Sequence, residues 1–136
     1  MKTFKLKSLE IIDDKDDNII QHEITLIDGL IINREDDYNR WVIEAFMSHD
    51  NLEYFQRLRS QKEEVMVQVT ISKESNPPAT FLTSIIGINE IGAHMNVLFM
   101  GTIVDQQKGI IKDMLRHLID QGYQGESLLE KFKELI

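Results

Sequence analysis

The 136-residue chain contains no cysteine, which excludes a disulfide framework, a thiol nucleophile and a thiolate metal site. Long apolar runs are also missing. No stretch approaches the roughly 20 apolar residues that a membrane-spanning helix needs. The longest, Val97–Val104, is interrupted by Gly101 and Thr102 and is strand-sized. Met1-Lys2-Thr3-Phe4-Lys5-Leu6-Lys7 alternates charge with apolar side chains, so no signal-type apolar core follows the first lysine. A cytoplasmic location without membrane insertion is the expectation. Positive charge is scarce: 15 Lys and Arg against 23 Asp and Glu leave a formal net charge of −8. Such a balance repels phosphate backbones and anionic lipid. The basic residues fall into small groups, Lys5/Lys7, Arg57/Arg59/Lys62 and Lys108/Lys112/Arg116, which solvated surfaces explain. No aromatic face for stacking bases is visible either. Nucleic-acid binding is not expected.

What is present is mostly alternation. In Thr3–Ile12, Phe4 and Leu6 share one parity while Leu9 and Ile11 share the other. A bulge near Lys7-Ser8 would turn all four inward and bend the sheet. An acidic turn, Asp13 to Asn18, separates this strand from Ile19–Ile27. Asp28-Gly29 then predicts a tight hairpin turn before the returning strand Leu30–Asn33, because the pair tolerates the positive φ of a type I′ turn. After the polar turn Arg34–Asn39 comes Arg40–Met47, with Trp41, Ile43, Ala45 and Met47 on one face. Leu52, Phe55 and Leu58 change the period and predict a short helix over 51–62, with Asp50 and Glu53 as its cap. Val65–Ser72 returns to period two and ends at the break Asn76-Pro77-Pro78. Thr80–Ile88 and Ala93–Val104 follow as strands joined through Gly87–Gly92. Gly101 inside the last one marks a kink or a close backbone approach.

Two amphipathic helices close the chain. Asp105 is placed to cap the first, whose stripe is Ile110, Ile111, Met114, Leu115, Leu118 and Ile119. Gly122 is suited to its C′ position. Ser127 with Glu130 predicts a capping box for the second, whose apolar residues are Leu128, Leu129, Phe132, Leu135 and Ile136. Strands followed by helices, without alternation, predict a mostly β, α+β domain. The preferred architecture is an antiparallel β-barrel core of about seven strands with a C-terminal two-helix pair; a two-sheet sandwich is the alternative. Residues 1–136 form a single domain in this reading, with the barrel over 1–104 and the helix pair over 105–136.

No catalytic constellation emerges. Asp14, Asp16 and Asn18 match the first three ligand positions of a calcium loop, but Ile19 and Thr25 stand where glycine and the bidentate glutamate belong. Glu35, Asp36 and Asp37 read as a polar turn, as do Asp13 and Asp14. His22, His49, His94 and His117 lie on separate elements with no metal spacing. His49 beside Asp50 reads as a local cap contact. No nucleophile elbow or phosphate loop occurs. No metal and no cofactor is expected. The helix pair is the ambiguous feature: its stripes can pack on each other and the barrel, or leave Ile110, Met114, Leu118, Leu128, Phe132 and Leu135 as an interaction surface for a protein partner or self-association.

Met1–Leu9, the run Asp28–Asn33 continuing to Trp41–Phe46, and Val65–Ile71 with the turn Asn76-Pro77-Pro78-Ala79-Thr80-Phe81 together resemble the YwpF-like family of Firmicutes. The resemblance runs the whole length. It implies a β-barrel core with an attached two-helix pair, similar in architecture to tube-forming secretion proteins of the Hcp type, a likeness of fold that carries no function. It implies no catalytic residues. The expectation is a non-enzymatic barrel module acting through protein contacts or self-association. The alternative is a small-molecule-binding barrel, or an enzyme whose site only folding assembles, with His22, His94 or Thr83 lining an interior pocket.

Overall fold

A computed structural model describes residues 1–15, 18–104 and 108–135; the side chains of Lys15, residues 108–113 and Leu135 lie outside this description, as does the expected cap Asp105. The described residues form seven strands: β1 (Lys2–Lys15), β2 (Asn18–Ile24), β3 (Leu26–Asn33), β4 (Arg40–Ser48), β5 (Val65–Ile71), β6 (Ala79–Ile91) and β7 (His94–Val104). A 3₁₀ turn at His49–Asn51 leads into α1 (Leu52–Gln61), and α2 (Lys108–Asp120) and α3 (Gly125–Leu135) follow β7. All pairings are antiparallel in the order β2-β1-β3-β4-β7-β6-β5, and β1 also pairs with β5. Six strands therefore close a barrel, and β2 is an extra strand laid along the far half of β1.

β1 reaches three neighbours because it is long and bulged. Lys2–Lys5 pair with β3, Leu6–Ile12 with β5 and Leu9–Lys15 with β2. The register shifts between Leu6 and Ser8, the defect anticipated from parity. Leu6, Leu9 and Ile11 are accordingly all buried, while Ser8 donates a hydrogen bond to Thr70 Oγ1 at 2.8 Å.

The Asp28-Gly29 turn does not form. Both residues lie inside β3, opposite Phe46 and Ala45 on β4, and the chain changes strand at Thr25 instead. The Asp28 carboxylate accepts from the Gly29 N–H at 2.8 Å and pairs with Lys5 at 3.4 Å. Gly29 is there for space: a Cβ would stand 2.8 Å from Leu6 Cδ2 and 3.0 Å from the Glu44 carbonyl oxygen. The β6–β7 link is also shorter than expected. Only Gly92-Ala93 separate the paired residues Ile91 and His94, with Gly92 at φ +59°, and Gly87 sits at a register shift inside β6. Neither expected capping box is used. Ser48, still extended at the end of β4, accepts the Asp50 N–H on Oγ, and α3 starts at Gly125, before Ser127. The α2 terminus is as expected. Gly122 has φ +96°, its N–H reaches Ile119 O at 2.9 Å and the Tyr123 N–H reaches Leu118 O at 3.1 Å, which is a Schellman motif.

The barrel interior is filled. Phe55 enters from α1 and meets Phe99 edge-on, ring centroids 6.1 Å apart. At the other end Trp41 stands edge-on to Phe81 at 5.3 Å and stacks with Phe4 at 6.5 Å. The fully buried Phe55, Phe81 and Phe99 each contribute roughly 1.5–3 kcal/mol on burial. A second apolar cluster lies outside the barrel, where Met66, Leu82 and Val104 of the wall meet Leu115, Leu118, Ile119, Leu128, Leu129 and Phe132. Covered on both faces, β5 is buried from Val65 through Thr70.

Candidate functional site

Four of the six expected surface residues have described side chains. Leu118, Leu128 and Phe132 are buried, at 1%, 4% and 0% exposure, and Met114 packs partly buried against the same cluster. These residues hold the helix pair onto the barrel and present no free strip in this arrangement. The side chains of Ile110 and Leu135 lie outside the described residues.

A polar network fastens the same junction. Lys62 follows α1, and its N–H caps the helix on Leu58 O at 3.0 Å. Its ammonium donates to Asp13 Oδ1 and, at 3.2 Å, to Asp14 Oδ1. Asp14 Oδ2 also accepts the N–H of Gly125, the first residue of α3, at 3.0 Å. Beside this network runs a crevice of about 20 Å³, lined by residues including Ile12, Ile19, Leu58, Leu115 and Leu128, with room for roughly one water. Spacing placed Lys62 on a solvated surface and Asp13/Asp14 in a loop. The available signal was parity, since Asp14 falls on the same face of β1 as Ile12, which the helices cover.

Burial alone would lower the Lys62 pKa, but the hydrogen bond to Asp13 and the charges of Asp13 and Asp14 outweigh it, raising the pKa above the ordinary 10.5. Burial, aided by the Asp13 charge, pushes the Tyr54 hydroxyl up from 10.0 to about 12. Both groups hold their protons more tightly folded than unfolded. Their contribution is thus complete below the unfolded values and is lost as pH rises through the folded ones. The urea midpoint should fall between pH 10 and about 12, and Tyr54→Phe should reduce that fall. An identical alkaline profile in the variant would contradict this account.

The histidines do not converge. His22 lies tilted against Tyr54 with centroids 4.4 Å apart, and His94 lies 5.2 Å from Phe46. His49 Nε2 pairs with Glu90 Oε1 at 2.8 Å rather than with Asp50, because the β6–β7 hairpin passes beside the 3₁₀ turn. His117 is beside Gln121, at 3.1 Å. Thr83 donates its hydroxyl to Val65 O at 2.8 Å within the barrel wall. Among the described residues no three carboxylate or histidine groups gather to hold a metal, and no buried side-chain polar atom lacks a partner. The Asp36 carboxyl is held below its ordinary range, chiefly by the Arg40 N–H at 3.0 Å, and organises the β3–β4 turn. Asp16, of the calcium-like pattern, lies outside the described residues, and Asp14 is engaged by Lys62 and Gly125.

The opposite wall has a different character. Register puts Ile32, Val42 and Met100 in one row of the outer face, Leu30, Glu44 and Leu98 in the next, and Asp28, Phe46 and Asn96 in a third. The outer face of an antiparallel sheet open to water is normally polar. Here six of these nine side chains are apolar, and none belongs to the cluster beneath the helices. Leu30 is 42% exposed, and Ile91, at the edge of the same face, 50%. Both parities of β4 and β7 are apolar in the sequence, a signal that the inward face alone leaves unused.

No helix among the described residues is long and apolar enough to cross a membrane. A family model described as YwpF-like protein matches residues 2–135. A Bacillus subtilis (strain 168) protein named uncharacterized protein YwpF is 38% identical over 136 residues, covering 98% of each chain. A crystal structure of a hypothetical protein from Staphylococcus aureus is similar with a TM-score of 0.70 and 30% identity, covering 98% of this chain and 91% of that one. The sequence resemblance, the closed barrel and the helix pair agree, and the chain belongs to the YwpF-like family.

Proposed function

We propose that this chain is a non-enzymatic cytoplasmic barrel that works as one unit, barrel and helix pair together, by contact with another protein surface. The observation that supports this reading is the apolar outer wall of β3, β4 and β7, which no described part of the chain's own apolar clusters covers. Leu30 and Ile91 are exposed on this wall and Ile32, Val42, Phe46, Leu98 and Met100 are half-buried; apolar surface gathered on one face of a small domain marks a contact site. The filled interior and the separation of His22, His94 and Thr83 weigh against the small-molecule reading. The Hcp-type likeness implied by the family resemblance concerns architecture and adds no activity.

Incorporation of a photocrosslinking benzoylphenylalanine at position 98 in the native host tests the wall directly. Discrete crosslinked species should form from position 98 and not from position 131 on α3. Equal yields from both positions, or none from position 98, would remove the reading.

A further inference from the structure

The same wall holds a charge that its surroundings leave without a counterion. Glu44 stands at its centre, between Leu30 and Leu98 across the two ladders. Its carboxylate accepts one hydrogen bond, from Asn96 Nδ2 at 3.4 Å, and forms no ion pair among the described residues. The Asn96 amide is fixed in turn, because its oxygen accepts from Asn89 Nδ2 at 2.8 Å. Lys5, which lies opposite Leu30 on β1, is taken by Asp28 at 3.4 Å. Next to Glu44 is a depression of about 190 Å³ whose apolar lining is Leu30, Phe46 and Ile91, with Asp28, Glu44 and Asn96 at its polar rim.

We propose that this depression receives a basic segment of another protein, with an aliphatic or aromatic side chain seated among Leu30, Phe46 and Ile91 and an adjacent arginine or lysine on the Glu44 carboxylate. The inference rests on the reading of the wall as a contact face and adds the chemistry of what contacts it. A charge-assisted hydrogen bond shielded by an apolar anchor is the arrangement that concentrates binding energy in few residues. Charge selects the partner. A second copy of this chain would bring its own net −8 against a protein of the same sign, where like charges are costly. A cationic segment meets complementary potential.

The test is a ¹⁵N NMR titration of the full chain with the peptide acetyl-Leu-Arg-Phe-Arg-Leu-amide and with its citrulline counterpart, which keeps the shape and loses the charge. The arginine peptide should shift the amides of Leu30, Glu44, Phe46 and Ile91. Affinity should drop about tenfold for the citrulline peptide, and by the same factor for Glu44→Gln with the arginine peptide, as expected for loss of roughly 1.4 kcal/mol. Absence of wall shifts with the arginine peptide, or equal affinity of the two peptides, overturns the inference. In either event crosslinking from position 98 decides separately whether the wall remains a contact face. A concentration-dependent doubling of mass by light scattering, lost in Leu98→Asp, gives the wall to a second copy and also overturns the basic partner.

Discussion

Gly101→Ala should destabilise the protein severely. A Cβ at this position would stand 2.0 Å from the Leu82 carbonyl oxygen and 2.6 Å from the Thr83 Cα. Both are backbone atoms of β6, paired in register with β7 at Thr102 and Gly101, so neither can swing aside as a side-chain tip can. Relief requires separating two barrel strands at the point where Leu82 also anchors the helix-pair cluster. Overpacking a core typically costs about 1–3 kcal/mol even when side chains give way; here the loss should reach at least about 3 kcal/mol, which lowers a domain's melting temperature by roughly 10 °C or more. Calorimetry of the purified variant measures it. A melting temperature within 3 °C or so of the parent would show that the strands part easily. Gly29→Ala makes the instructive contrast. Its nearest neighbour is the tip of Leu6, so its cost should be clearly smaller.

The second large effect separates the two apolar clusters. Phe99 and Phe132 are both fully buried, and truncation of either to alanine should cost about 3–5 kcal/mol. The consequences should differ in place. Phe99 packs on Phe55 inside the barrel, so Phe99→Ala should loosen strands and helices together. Phe132 belongs to the cluster where the helix pair meets Met66, Leu82 and Val104 of the barrel, so Phe132→Ala should raise hydrogen exchange in α2 and α3 well before the amides of β3 and β4. Uniform loss of protection in both variants would mean that the clusters melt as one cooperative unit.

Much of this arrangement was readable from residue order. The parity slip from Leu6 to Leu9, seven strands, the 51–62 helix and the terminal helix pair are all local signals, fixed by neighbours a few positions apart. The failures share a cause. Asp28-Gly29 has the propensity of a turn, but its conformation is decided by Leu6 and the Glu44 carbonyl, which come from other strands. Lys62 resembles any exposed lysine until β1 brings Asp13 and Asp14 to it across 49 and 48 positions. The expected surface on the helices was a matter of which side faces the barrel, which amphipathicity alone does not settle. The uncovered wall lies on the other parity of β4, where Val42 and Phe46 carry its signal and the inward stripe from Trp41 to Met47 does not.

The length of β1 bears on how the chain reaches this state. Its first residues pair with β3, two strands on in the chain, while Leu6 to Ile12 must find Ile71 to Met66. The closing seam thus joins the opening segment to partners about 60 positions away, and non-local pairing of this kind slows folding. During synthesis β1 to β4 can assemble early, but the seam edge of β1 stays unpaired until β5 has emerged. Over that interval the apolar residues destined for the interior, Leu9 and Ile11 among them, face an open edge, the condition under which nascent sheets misassociate. The bulge after Leu6 breaks the regularity of that edge and makes it a poorer template for a wrong strand.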